Sequence, residues 1–196
     1  MKKILAVLIF ASTLLISQKS DAQLEKGNVL VGSDIADFNL GLNKNSDFRM
    51  TINPTAAWFI QNNVAVGAYV NLGVDAVKGA TATSYGVGAL GRYYVGTDKV
   101  NTESFLKHTR AFVEANVGVE GNNVSHGAST NGLGIGFGPG IAYFITPNIG
   151  LETLLKYQGI VGFGNAPLNS RLDLSVGFQI YLPGKATQNK VMKDVQ

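Results

Sequence analysis

The stretch Arg171-Leu172-Asp173-Leu174-Ser175-Val176-Gly177-Phe178-Gln179-Ile180-Tyr181-Leu182 decides the fold. From Leu172 to Leu182 every second residue is large and apolar, while Arg171, Asp173, Ser175, Gly177, Gln179 and Tyr181 stand between them. A period of two belongs to the β-strand, whose successive side chains point to opposite faces. One face of this segment is apolar throughout and the other is polar or small.

The same alternation recurs upstream. Residues 131 to 145 set Leu133, Ile135, Phe137, Pro139, Ile141, Tyr143 and Ile145 against Gly132, Gly134, Gly136, Gly138, Gly140 and Ala142. Apolar rows also run from Val64 to Val74, Ala111 to Val119 and Ile149 to Tyr157, with weaker ones from Met50 to Ile60, Tyr85 to Tyr93 and Val29 to Leu40. Clusters of Asn, Gly and Pro separate them, and almost no segment carries helical spacing. The expectation is an all-β chain: about eight antiparallel strands in an up-and-down transmembrane β-barrel, each strand long enough for the ~9–11 residues a tilted crossing needs.

An even strand number puts both termini on one side, the periplasm in bacterial outer-membrane barrels. Gln61-Asn62-Asn63 and Thr146-Pro147-Asn148 then read as periplasmic turns, and residues 96 to 107 as a longer periplasmic connection. Residues 41 to 47, 77 to 82, 121 to 130 and 158 to 169 read as outer loops.

Alternation alone also suits a soluble ligand-binding barrel, whose apolar face points inward. The polar faces argue for lipid outside: they are mostly Gly, Ala, Ser, Thr and Asn, where a solvated face would be rich in Lys and Glu. Charged residues are only 15% of the chain, against about 25% in ordinary soluble domains. Aromatic residues gather near strand ends, and Trp58, Phe59, Tyr93, Tyr143, Phe144, Phe178 and Tyr181, with Tyr94, are expected to form an interfacial girdle. Core aromatics of a sandwich are the alternative.

The ends read as processing segments. Lys2 and Lys3, the apolar run Ile4 to Ile16 and the small-x-small site Ser20-Asp21-Ala22 predict a signal peptide over 1–22, with a retained anchor as the alternative. The barrel is expected over 23–182, and Pro183-Gly184 opens a disordered periplasmic tail over 183–196. With no cysteine there is neither a lipidated Cys nor a disulfide framework. A net charge of +3 without a basic cluster gives no nucleic-acid footprint.

The units Trp58-Phe59-Ile60-Gln61-Asn62-Asn63-Val64-Ala65-Val66-Gly67 and Tyr143-Phe144-Ile145-Thr146-Pro147-Asn148-Ile149-Gly150-Leu151-Glu152, the Lys-Lys leader and the closing Val176 to Leu182 resemble the outer-membrane protein β-barrel domain family, the small barrels of the OmpW and OmpX kind. The resemblance covers roughly residues 24 to 182. It implies residence in outer-membrane lipid, insertion by the barrel-assembly machinery, and either an envelope role or passage of small or apolar solutes. Such chains often end at an aromatic residue, so the tail is a departure that leaves Tyr181 or Phe178 to serve internally.

The polar faces contribute Arg92, Arg110, Glu114, Glu120, Glu152, Lys156, Arg171 and Asp173. In a narrow lumen such charges must be paired, so ion-pair layers bridging opposite walls are expected, forming a plug or lining a narrow polar conduit. The Gly132 to Gly140 run has the spacing of a dinucleotide loop but no following helix, and reads as a strand whose glycines clear lumen space. Ser125 and His126 are adjacent, but neighbours on an extended chain point apart, so no catalytic residue is assigned. No cofactor and no metal site is expected with two separated histidines and no cysteine. The reading is a non-enzymatic barrel with an envelope structural or surface-interaction role; a lipid-modifying enzyme is the remotest alternative.

Overall fold

The period-two rows become eight strands in a computed structural model that describes residues 24–40, 48–77, 79–95, 108–125, 129–163 and 169–184. They are β1 (Val29–Leu40), β2 (Phe48–Gln61), β3 (Val64–Val77), β4 (Ala80–Tyr94), β5 (Thr109–Val124), β6 (Thr130–Thr146), β7 (Ile149–Gly162) and β8 (Asn169–Leu182). Each pairs antiparallel with its sequence neighbours, and β1 closes on β8 from Val29↔Leu182 to Ala36↔Ser175. The all-β, eight-stranded, up-and-down transmembrane barrel read from the sequence is thus the fold observed. Closure leaves every ladder a partner on both sides, which removes the open edges that lipid cannot satisfy.

Two turns are tight because their residues allow it. Asn62-Asn63 joins β2 to β3 with Asn63 at φ 65°, a left-handed conformation that Asn tolerates and β-branched residues do not. Pro147-Asn148 joins β6 to β7, where the Asn148 N–H donates to Thr146 Oγ1 at 3.3 Å. Both ends of the described chain sit beside the first turn. The Asn63 N–H donates to the Leu24 carbonyl and the Gly27 N–H to the Phe59 carbonyl, each at 2.8 Å, while the Gly184 N–H donates to Asn28 Oδ1 at 2.9 Å.

At the opposite end the strands run further than the sequence suggested. The ladders reach into the expected loops 77–82, 121–130 and 158–169: β4 pairs with β5 out to Ala82↔Val124, β5 with β6 out to Asn122↔Thr130, and β7 with β8 out to Ile160↔Asn169. Asn, Ser and Gly in these segments favour turns only where nothing else binds the backbone; here cross-strand bonds do, with Tyr85 Oη donating to Asn131 Oδ1 at 2.6 Å. The signal segment 1–22, the expected loop 41–47, the connection 96–107 and most of the tail lie outside the described residues.

The two faces are distributed as a membrane barrel requires. Leu172, Leu174, Val176, Phe178, Ile180 and Leu182 all point outward, with Leu172 the most exposed at 66%. Val66, Val70, Leu72 and Val74 on β3, and Val113, Val117 and Val119 on β5, join them in one continuous apolar exterior. A patch of that extent far exceeds what a water-soluble monomer exposes.

The aromatic girdle needs correction. Phe59, Phe144 and Tyr181 are only 2%, 3% and 1% exposed and face the interior, as does Tyr94. Parity forces this, because Trp58 and Ile60, Tyr143 and Ile145, and Ile180 and Leu182 take the outward positions on either side. Trp58, Tyr93, Tyr143 and Phe178 do stand outside, near the end that carries the tight turns.

Candidate functional site: the barrel interior

The interior is built in layers, and the strands' parity assigns each side chain to its layer. At the turn end Phe59, Tyr94, Phe112, Phe144 and Tyr181 converge with Leu24. Ring centroids lie 5.0 Å apart for Phe144 and Tyr181, 5.4 Å for Tyr94 and Phe112 and 5.9 Å for Phe59 and Tyr94, distances at which tilted aromatic pairs attract. The rings form one buried layer at this end of the barrel.

Directly above it Arg92 is clamped between two walls. Its Nη2 donates to Glu114 Oε2 at 2.6 Å and its Nε to the same oxygen at 3.0 Å; its Nη1 donates to Glu152 Oε2 at 2.6 Å and to Tyr94 Oη at 3.1 Å. Glu114 is the ladder neighbour on β5, whereas Glu152 comes from β7 across the lumen. Tyr181 Oη donates to Glu152 Oε1 at 2.6 Å and lies 2.9 Å from Tyr94 Oη, so the second carboxylate is held by both a guanidinium and a phenol. The Arg92 guanidinium also stands 4.4 Å from the centre of the Phe112 ring. Three buried charges in low dielectric are tolerable because nearly every donor and acceptor on them is matched.

Of the other charged residues singled out in the sequence, Lys156 Nζ on β7 reaches Glu114 Oε1 on β5 at 3.4 Å, over β6, the strand between them. Arg171 and Asp173 pair at 2.7 Å, but both belong to β8, so this bridge spans no walls. Arg110 stays near the turn end, donating to the Thr109 carbonyl at 3.1 Å. Glu120 Oε1 accepts from Tyr69 Oη at 2.8 Å and from Gln158 Nε2 at 2.6 Å, and Glu120 borders the same cavity as Lys156 and Arg171.

Several interior residues escaped the sequence reading. Tyr69, Gln158, Gln179, Asp34 and Asn116 are all buried, and Gln179 Nε2 donates to Asp34 Oδ1 at 3.1 Å. Parity would have found them, since each shares a face with residues already assigned inward. Their neutral character hid Tyr69, Asn116, Gln158 and Gln179, and the weak alternation of β1 hid Asp34.

The glycines of β6 explain how such large side chains fit. A Cβ on Gly140 would stand inside the Phe112 ring, one on Gly136 against Gln158 and Asn116, and one on Gly134 against Glu120. β6 is therefore a bare wall facing the bulky inward residues of β5 and β7. At the end away from the turns, Thr51, Asn53, Asn71, Glu120, Lys156, Gln158 and Arg171 border a cavity of about 20 Å³. That holds one or two waters and no more.

Ser125 lies at the end of β5, where its Oγ accepts the Thr81 N–H at 2.8 Å. His126 lies outside the described residues. Among the described residues no group of three His, Cys, Asp or Glu is placed to hold a metal.

No protein-family model and no curated protein matches the sequence. Among solved structures the chain is similar to Neisserial surface protein A (NspA), with 19% identity, a TM-score of 0.51 and coverage of 78% of this chain and 95% of that one. It is also similar to the N-terminal β-barrel domain of Pseudomonas aeruginosa OprF, at 15% identity and TM-score 0.48 over 80% and 98% of the two chains. The outer membrane protein OprG from Pseudomonas aeruginosa gives 13% identity and TM-score 0.48 over 83% and 99%. Identities this low speak to architecture alone, and on the NspA likeness together with the closed ladder and the apolar exterior, this chain has the fold of the small eight-stranded outer-membrane barrels.

Proposed function

We propose that the protein is an integral outer-membrane barrel with a non-enzymatic envelope role, structural or in surface interaction, both termini lying in the periplasm and the longer strand ends standing outside. The barrel-assembly machinery inserts it on this reading. The supporting observation is the packed interior: the Arg92 clamp and the aromatic layer beneath it are buried and bonded from wall to wall, which suits a rigid peg in the membrane better than a pore. An eight-stranded interior is just wide enough for side chains, so filling it is the expected outcome when nothing needs to pass.

The second reading is a narrow passage for small or apolar solutes, and the polar cavity at the far end favours it. Planar-bilayer recording of the purified protein separates the two. A structural barrel gives no conductance steps above the bare membrane; reproducible steps from the wild type overturn that reading and support the passage.

A further inference from the structure

We propose that residues 24–28 form a strap that holds the junction of β1 and β8 shut, and that the barrel opens at this junction when the strap lets go. β1 and β8 are the two neighbours in the closed ladder that no connecting segment joins. Every other pair is tied through the chain at one end, which keeps its strands close even when their rungs break.

The junction is also the shortest ladder among the described residues. β1 and β8 pair only from Val29↔Leu182 to Ala36↔Ser175, although β1 runs on to Leu40 and β8 starts at Asn169. Beyond Ala36 the register of β1 against β2 shifts before Asn39, and a bulge of this kind bends its strand and ends pairing. That leaves the turn end to hold the two strands together.

There residues 24–28 cross from one side of the junction to the other. The Asn28 carbonyl accepts the Phe59 N–H at 2.9 Å and the Gly27 N–H donates to the Phe59 carbonyl at 2.8 Å, which ties the segment to β2. Asn28 Oδ1 accepts the Gly184 N–H at 2.9 Å, which ties it to the chain leaving β8. Asn28 is 1% exposed, and a Cβ on Gly184 would collide with the Gly27 carbonyl, so the two passes of chain lie in contact. Leu24 anchors the far end of the strap: its carbonyl accepts the Asn63 N–H at 2.8 Å, and its side chain joins the ring layer that includes Phe59 and, from β8, Tyr181. Removing the Asn28 amide leaves the Gly184 N–H without this acceptor, a cost that falls on the closed barrel and not on the opened one.

The test uses the full chain refolded into liposomes and reads its unfolding rate in urea. Asn28→Ala is expected to unfold about tenfold faster than the wild type. The chain has no cysteine, so an introduced disulfide can staple one chosen ladder. Ala36→Cys with Ser175→Cys staples β1 to β8, and Val70→Cys with Val87→Cys staples β3 to β4, each at direct cross-strand partners. In the first background Asn28→Ala is expected to change the rate by less than about twofold, whereas in the second the acceleration persists. No acceleration in the unstapled chain, acceleration that survives the β1–β8 staple, or acceleration lost under both staples overturns the proposal. If Asn28→Ala does not refold, Leu24→Ala goes through the same comparison and the same outcomes decide.

Discussion

Arg92 is fully buried and makes bonds to Glu114, Glu152 and Tyr94, so it holds opposite walls of the barrel at a fixed distance. Arg92→Ala leaves the buried Glu152 without a cation and Glu114 with Lys156 alone. It is expected to cost about 3–5 kcal/mol in urea unfolding from micelles. The double variant Arg92→Leu, Glu152→Gln leaves Glu114 to Lys156 and no carboxylate without a partner, and is expected to recover much of that loss. A single variant as stable as the wild type would show that the clamp is ornamental. The sequence exposed Arg92, Glu114 and Glu152 as inward charges through their parity, but not which of them meet. Arg92 and Glu152 are joined only by the curvature that brings β4 opposite β7.

At the scale of the strand, β8 shows how strictly one register governs both surfaces. Its even-numbered residues from Leu172 to Leu182 face outward and its odd-numbered ones inward, so Tyr181 joins the carboxylate Glu152 while its neighbours Ile180 and Leu182 meet the exterior. Val176 lies on the outward row near the strand's middle, 57% exposed. Val176→Arg is expected to destabilise the folded barrel in lipid by about 2–4 kcal/mol, read from equilibrium unfolding in liposomes. Folding at wild-type yield and stability would mean that this row does not face hydrocarbon. Phe59, Phe144 and Tyr181 face the lumen for the same reason: nearness to a strand end does not set the face an aromatic takes, because the pleat divides neighbours between lumen and exterior.

For the whole molecule, closure of β1 on β8 encloses a polar, ion-paired interior within an apolar wall, the inverse of a water-soluble protein. The chain is accordingly expected to leave solution when detergent is removed, and sedimentation would show large aggregates; a stable monomer in plain buffer would contradict the exterior assigned here. The sequence by itself determined the strand count, the faces and the direction of each face, because a period of two is local and survives whatever the rest of the chain does. It also showed that β6 would be bare inside, from the glycines of its inward row. Only the tertiary structure decided that the aromatic rings stack in one buried layer, that Arg92 bridges β4 to β7, and that Asn116 and Gln158 meet beside Gly136. Those facts depend on the diameter and curvature of the closed sheet, which place residues from strands far apart in the chain within bonding distance and leave no trace in the spacing of any one of them.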